Sequence, residues 1–247
     1  MTHAPNPFNQ YRQPTTSFGY AGDDAGAQAI SRFFNAVYAW MFAGLALTAL
    51  VAYYVAAHPQ ILGQIGGGGM IGLFVVELLL VGVISAAVQR INAVVATLLF
   101  LLYAAINGVV LSILFMVYTH SVLASAFAIT AGMFGAMSLY GFLTHRDLTG
   151  MGSLMFMALI GLIIASVVSI FWHSTMLQVL INYVGVIVFT GLTAYDTQKL
   201  KQIALATSGN AAMAARLSIT GALSLYLDFL NLFIFIVQIL GAGNRRD

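Results

Sequence analysis

Seven long apolar runs, separated by short polar or glycine-rich breaks, fill most of the chain. They lie at residues 33–57, 70–89, 93–118, 121–143, 151–172, 176–198 and 217–241. Each is close to or longer than the ~20 apolar residues an α-helix needs to cross a bilayer. None alternates strictly between apolar and polar, and each is about twice the length of a barrel strand. Hydrocarbon admits only helices and closed barrels, because every backbone N–H and C=O must be satisfied internally. The pattern therefore predicts an all-α membrane protein with seven transmembrane helices across residues 32–247. The run of glycines at 66–69 is not followed by a Lys-Ser/Thr pair, so it reads as a flexible turn and not a phosphate loop. The break at 199–216 is the longest, with room for a short amphipathic helix around 211–216. Residues 1–31 are polar and carry Pro5, Pro7 and Pro14, which predicts a disordered tail and neither a signal peptide nor a mitochondrial presequence.

Composition sharpens this picture. Only 6% of residues are charged and 61% are hydrophobic, with a mean hydropathy of +0.95. Soluble domains carry about 25% charged residues, so the solvent for most of this surface is lipid. The formal net charge is +2, but its nine basic residues are scattered among short loops, which excludes a nucleic-acid surface. With no cysteine, disulfide and thiol chemistry are excluded. Placing the N-terminus in the cytoplasm puts Arg12, Arg32, Arg90, Arg146, Lys199, Lys201 and Arg216 inside and only Arg245 and Arg246 outside, seven against two. That is a positive-inside bias. It predicts an extracytoplasmic C-terminus, although Arg245 and Arg246 oppose that end.

Small residues recur at spacings of three and four: Gly132, Gly135, Ala136 and Ser138 in the fourth run, Gly161, Ala165 and Ser169 in the fifth. Such stripes let helix backbones approach closely. The chemistry lies elsewhere. A charged group within a membrane is costly and usually faces protein or water on a functional path. Three acids stand in the apolar runs: Glu77, Asp196 and Asp228. Asp196 could pair with Lys199 or Lys201 at the interface, and Asp228 could be a neutral carboxyl bonded to Asn231 or to a neighbouring helix. The sharper reading pairs Asp196 with Asp228. Two carboxylates about 4 Å apart repel by roughly 4 kcal/mol at an effective dielectric near 20, so a contacting pair shares one proton and titrates as a unit. Deprotonated, it is a hard oxygen site for a divalent cation, Ca²⁺ before softer metals. Protonated, it draws two helices together.

The stretches Thr193-Ala194-Tyr195-Asp196-Thr197-Gln198 and Leu225-Tyr226-Leu227-Asp228-Phe229-Leu230-Asn231-Leu232-Phe233 resemble the two acidic signatures of the Bax inhibitor-1 family, the transmembrane Bax inhibitor motif proteins. Residues 140–153 look like that family's linker between the fourth and fifth helices, and the C-terminal end is similar to bacterial inner-membrane members. The resemblance covers roughly residues 30–247. It implies a bundle with the last helix central, wrapped by the other six, in a cell inner membrane. It further implies a pH-sensitive Ca²⁺ leak with a sensor at Asp196 and Asp228, no cofactor and no catalysis. Glu77, Arg90 and Asn231 are then candidates for a gate or for supporting contacts. Two departures stand out. Where members carry a basic residue ten positions after the second acid, this chain has Gln238. Where they carry an Arg ten or eleven positions after the acid of the second helix, it has Ala87 and Val88, with Arg90 a little further on.

The alternative to a leak is a non-conducting regulator of a membrane-anchored protease or another membrane complex, with the tail as a recognition handle. An intramembrane aspartyl protease is disfavoured. Tyr195-Asp196 echoes the first motif of those enzymes, but Asp228 lacks the preceding Gly-Leu-Gly and no Pro-Ala-Leu follows. No Gly-x-Ser-x-Gly occurs, and His58, His120 and His173 fall in expected outer loops.

Overall fold

The computed structural model describes residues 18–87, 91–172 and 174–243, all helical apart from short connections. The helices are α1 (Phe18–Ala57), α2 (Gln60–Ala87), α3 (Ala93–Val117), α4 (His120–Leu143), α5 (Thr149–Phe171), α6 (Thr175–Ala206) and α7 (Ala211–Gly243). All seven contain a stretch long and apolar enough to cross a membrane. The polar breaks supply the caps that helix ends require in a low-dielectric medium. Asn92, Thr119 and Ser174 accept from the backbone N–H groups of Val95, Val122 and Leu177. Asn210 does the same for Met213 at 3.0 Å. At the end of α1, His58 Nδ1 lies 2.8 Å from the Tyr54 carbonyl, and Pro59, lacking an N–H, stops the helix.

Three expected element boundaries change. Residues 18–31 belong to α1, so the boundary drawn at residue 31 is not a structural one; residues 1–17 lie outside the described residues. The glycine run 66–69 lies inside α2, which bends at Gly66 (φ 63°, ψ 175°) instead of ending there. The long loop at 199–216 contracts to a turn at 207–210, because α6 runs on past Lys199 and Lys201 while α7 begins at Ala211. The helical period continues through the two lysines: Leu200 and Ala204 are buried between them and beyond. Residues 211–216 are the first turns of α7 and not a separate helix.

Helix α7 is the centre of the bundle. It packs on α6, α1, α4 and α3, and half of its most apolar window is buried, against 11% for α2 and 6% for α5. Those two helices stand outside, α2 against α3 and α5 against α6. The expectation that six helices wrap the last is thus corrected to four in the inner ring. The core along α7 is Ile219, Leu223, Tyr226, Phe229, Leu232 and Ile236. Exposed Ile71, Phe74, Leu79, Phe156, Ile163 and Ile164 form the face turned to lipid.

Candidate functional site

The acidic signature on α6 is held from both sides by glycines. A Cβ on Gly141 of α4 would lie 2.2 Å from the Ala194 carbonyl oxygen, and one on Gly152 of α5 would lie 2.4 Å from the Tyr195 ring. Only the absence of a side chain lets α4 and α5 come this close, so Ala194 and Tyr195 are clamped between them, next to Asp196. By contrast, a Cβ on Gly132, Gly135 or Gly161 would meet nothing within 4 Å. The small-residue stripes expected to mark close helix packing do not do so at those glycines.

Polar contacts tie the same segment down. Gln198 brackets the α4–α5 linker, its Oε1 accepting from Leu148 N at 2.9 Å and its Nε2 donating to the Arg146 carbonyl at 2.8 Å. The two sequence pieces that resembled one family therefore meet in space. Lys201 Nζ donates to the Phe142 carbonyl at 2.9 Å and sits 5.2 Å above the Phe142 ring. Its charge thus serves the C-terminal end of α4. Ser138 bridges Tyr38 and Thr197, meeting Thr197 Oγ1 at 3.0 Å.

Asp196 is half-buried on α6 and lines a small cavity of about 70 Å³ in the α6–α7 seam. The exposed Lys199 acts on it electrostatically. Asp228 is only 4% exposed and feels the charge of Asp196 across the seam. Its Oδ2 is buried without a hydrogen-bond partner. The Asn231 amide does not supply one: Nδ2 donates to the Leu227 carbonyl of its own helix at 2.8 Å. Among the described residues no three acidic or histidine side chains cluster. The aspartates thus offer at most four carboxylate oxygens, and a Ca²⁺ ion takes six to eight.

Glu77 belongs to a different cluster. Its charge is felt by Tyr103 and Tyr226, and it is 8% exposed with Oε1 unpartnered. Tyr226 lies two residues from Asp228, about 200° around the helix, so the two polar groups occupy opposite faces of α7. Tyr226 packs edge-on to Phe100 and Tyr103 at 5.5 and 5.9 Å, and its hydroxyl meets Thr48 Oγ1 at 2.6 Å. Thr48, Tyr103 and Asn107, whose side chain bonds Tyr103, escaped the sequence reading, and Tyr226 entered it only as part of an acidic signature. The available signal was a hydroxyl or amide within an apolar run, which α-helices also use for local back-bonding. Gln238 Oε1 accepts from Gln178 Nε2 at 3.1 Å, which joins α7 to α6. Arg90 and His173 lie outside the described residues.

Comparison with known proteins follows the same lines. Residues 30–245 match the family described as inhibitor of apoptosis-promoting Bax1. Inner membrane protein YbhL of Escherichia coli K12 is 48% identical over 216 residues, covering 85% of this chain and 90% of the relative. An uncharacterised protein of Deinococcus radiodurans is 44% identical over 219 residues, covering 88% and 92%. An uncharacterised membrane protein of Streptococcus pyogenes, SpyM3_0260, is 36% identical over 230 residues, covering 91% and 97%. With a match over nearly the whole helical bundle and both acidic signatures in place on α6 and α7, the chain belongs to the Bax inhibitor-1 family of membrane proteins.

Proposed function

We propose that the protein is a proton-controlled cation leak, mainly for Ca²⁺, with Asp196 and Asp228 serving together as ion site and pH sensor. One observation carries the reading: an acid on the central helix is 4% exposed with an unpartnered oxygen, and a second acid on the adjoining helix lies within electrostatic reach of it. In the protonated pair, one shared hydrogen draws α6 and α7 together and closes the seam. In the deprotonated pair, the charges repel and the oxygens are free for a hard cation. The positive-inside bias of Arg146, Lys199, Lys201 and Arg216 supports a cytoplasmic side for their end of the bundle and for the N-terminus. The name of the Escherichia coli relative supports an inner-membrane location.

The test is Ca²⁺ entry into proteoliposomes containing an indicator dye, measured from acid to neutral pH. The wild type is expected to leak faster as the pair deprotonates, and Asp228→Asn to lose that pH dependence. An unchanged rate and profile in Asp228→Asn overturns the sensor. No flux at all in the wild type overturns the leak and leaves the non-conducting regulator of a membrane protease or complex.

A further inference from the structure

The small cavity beside Asp196 has a composition that the aspartate pair alone does not account for. Its α6 wall is Asp196, Lys199, Leu200 and Ile203, and its α7 wall includes Thr220, Gly221 and Ser224. Thr220, Ser224 and Asp228 are spaced four residues apart, so they stand in one row along α7, each about 6 Å above the last. The row begins near exposed Lys199, at the basic end of the bundle, and finishes at buried Asp228. Two of its atoms, Thr220 Oγ1 and Asp228 Oδ2, are buried and lack a hydrogen-bond partner. Other buried helical hydroxyls nearby behave differently, apart from Thr190 on α6, whose Oγ1 also lacks a partner. Thr193, Thr197 and Ser218 each donate to a carbonyl of their own helix at 2.8 Å. Thr220 has forgone that default, and an unmade bond is costly in a dry interior. Gly221 lets α6 close in at this level: a Cβ there would lie 2.5 Å from Leu200. A volume of about 70 Å³ has room for at least two waters at ~30 Å³ each.

The geometry points to a hydrated vestibule in the α6–α7 seam, lined by Thr220 and Ser224, that conveys a partly dehydrated cation between the basic end of the bundle and the aspartate pair. This rests on the proposed leak and extends it, since it assigns neutral oxygens that the ion meets before it reaches the carboxylates. Hydroxyl and water oxygens are the donors a hard divalent cation accepts beside carboxylate. The row supplies them along the approach without adding charge.

The chain has no cysteine, so single-cysteine variants of the full-length protein report cleanly. Thr220→Cys, Ser224→Cys and the control Ile160→Cys on the lipid face of α5 are reconstituted in vesicles. Each is treated with a water-soluble quaternary-ammonium methanethiosulfonate from either side. The vestibule requires labelling of Thr220→Cys and Ser224→Cys from the Lys199 side only, with Ile160→Cys unlabelled. Protection of both seam cysteines overturns it, whatever the flux shows. The ion-donor role is read from Thr220→Val, which removes the hydroxyl and keeps the shape. Its Ca²⁺ leak is expected to fall several-fold with the pH profile retained. If Thr220→Val and Ser224→Ala leave rate and ion preference unchanged while Asp228→Asn abolishes the pH response, the donor role fails and the proposed leak stands. If Asp228→Asn changes nothing, the proposed sensor fails, and labelling still decides whether the seam is wet.

Discussion

Replacing Gly141 with Ala puts one methyl group where α4 meets the backbone of α6, and the structure sets the consequence. The new Cβ would lie 2.2 Å from the Ala194 carbonyl oxygen and 2.9 Å from its carbonyl carbon and Cα. A methyl carbon and a carbonyl oxygen need more than 3 Å, so the two helices must part by about an ångström beside Asp196. The obstacle is backbone, which cannot swing aside as a side-chain tip does, and overpacking of this kind costs about 1–3 kcal/mol. Acting against it, Ala is favoured over Gly in a helix by about 1 kcal/mol. The clean comparison is Gly132→Ala on the same helix, where a Cβ meets nothing within 4 Å. Helix propensity cancels between the two variants, and their difference is the overpacking cost alone. Thermal unfolding in a single detergent should show Gly132→Ala equal to or above wild type and Gly141→Ala below Gly132→Ala by an amount equivalent to ~1–3 kcal/mol. Equal melting of the two variants would refute the clamp of α4 on the acidic segment.

Other outcomes follow from single contacts. Gly66→Ala forces a side chain into a backbone region (φ 63°, ψ 175°) that is essentially reserved for glycine, and should cost about 1–3 kcal/mol in the same melt. Gln198→Ala removes two hydrogen bonds to the α4–α5 linker. At ~0.5–1.5 kcal/mol each, linker amides should exchange hydrogen faster while those of α7 stay unchanged. Asp147 lies in that linker, outside the membrane. The Thr149 hydroxyl and then its backbone N–H donate to the carboxylate and hold it below the usual aspartate range. A depressed group stabilises above its unfolded value and loses that contribution as pH falls through the folded one. Protection of the Thr149 amide should therefore persist at neutral pH and vanish in strong acid, and Asp147→Ala should abolish it at every pH.

The hydrophobic pattern located the helices because ~20-residue apolar runs have few alternatives in lipid. It misjudged their ends where hydropathy and helicity part company. Lys199 and Lys201 interrupt the apolar run, but Leu200 and Ala204 keep the buried stripe in phase, so α6 continues to Ala206. The glycines show the limit of spacing arguments. Gly132 and Gly135 share a helix face, yet what lies opposite is open space, while unflagged Gly141 and Gly152 meet backbone and ring. The acids were conspicuous because charge within an apolar run is expensive. Their neighbours were not: Asn231 had two bonding options three or four residues away, and back-bonding to Leu227 took the amide. Thr220 and Ser224 look like ordinary helical hydroxyls until the cavity and the missing partner of Thr220 Oγ1 are seen.

The account turns on two acids behaving as a single proton-controlled gate between α6 and α7. The most direct measurement is the separation of the Asp196 and Asp228 carboxyl groups in experimental structures of the wild type in lipid, at acid and at alkaline pH. The account predicts carboxyls within hydrogen-bonding distance in acid and drawn apart, with the seam widened, in alkali. An identical, distant pair at both values would contradict it.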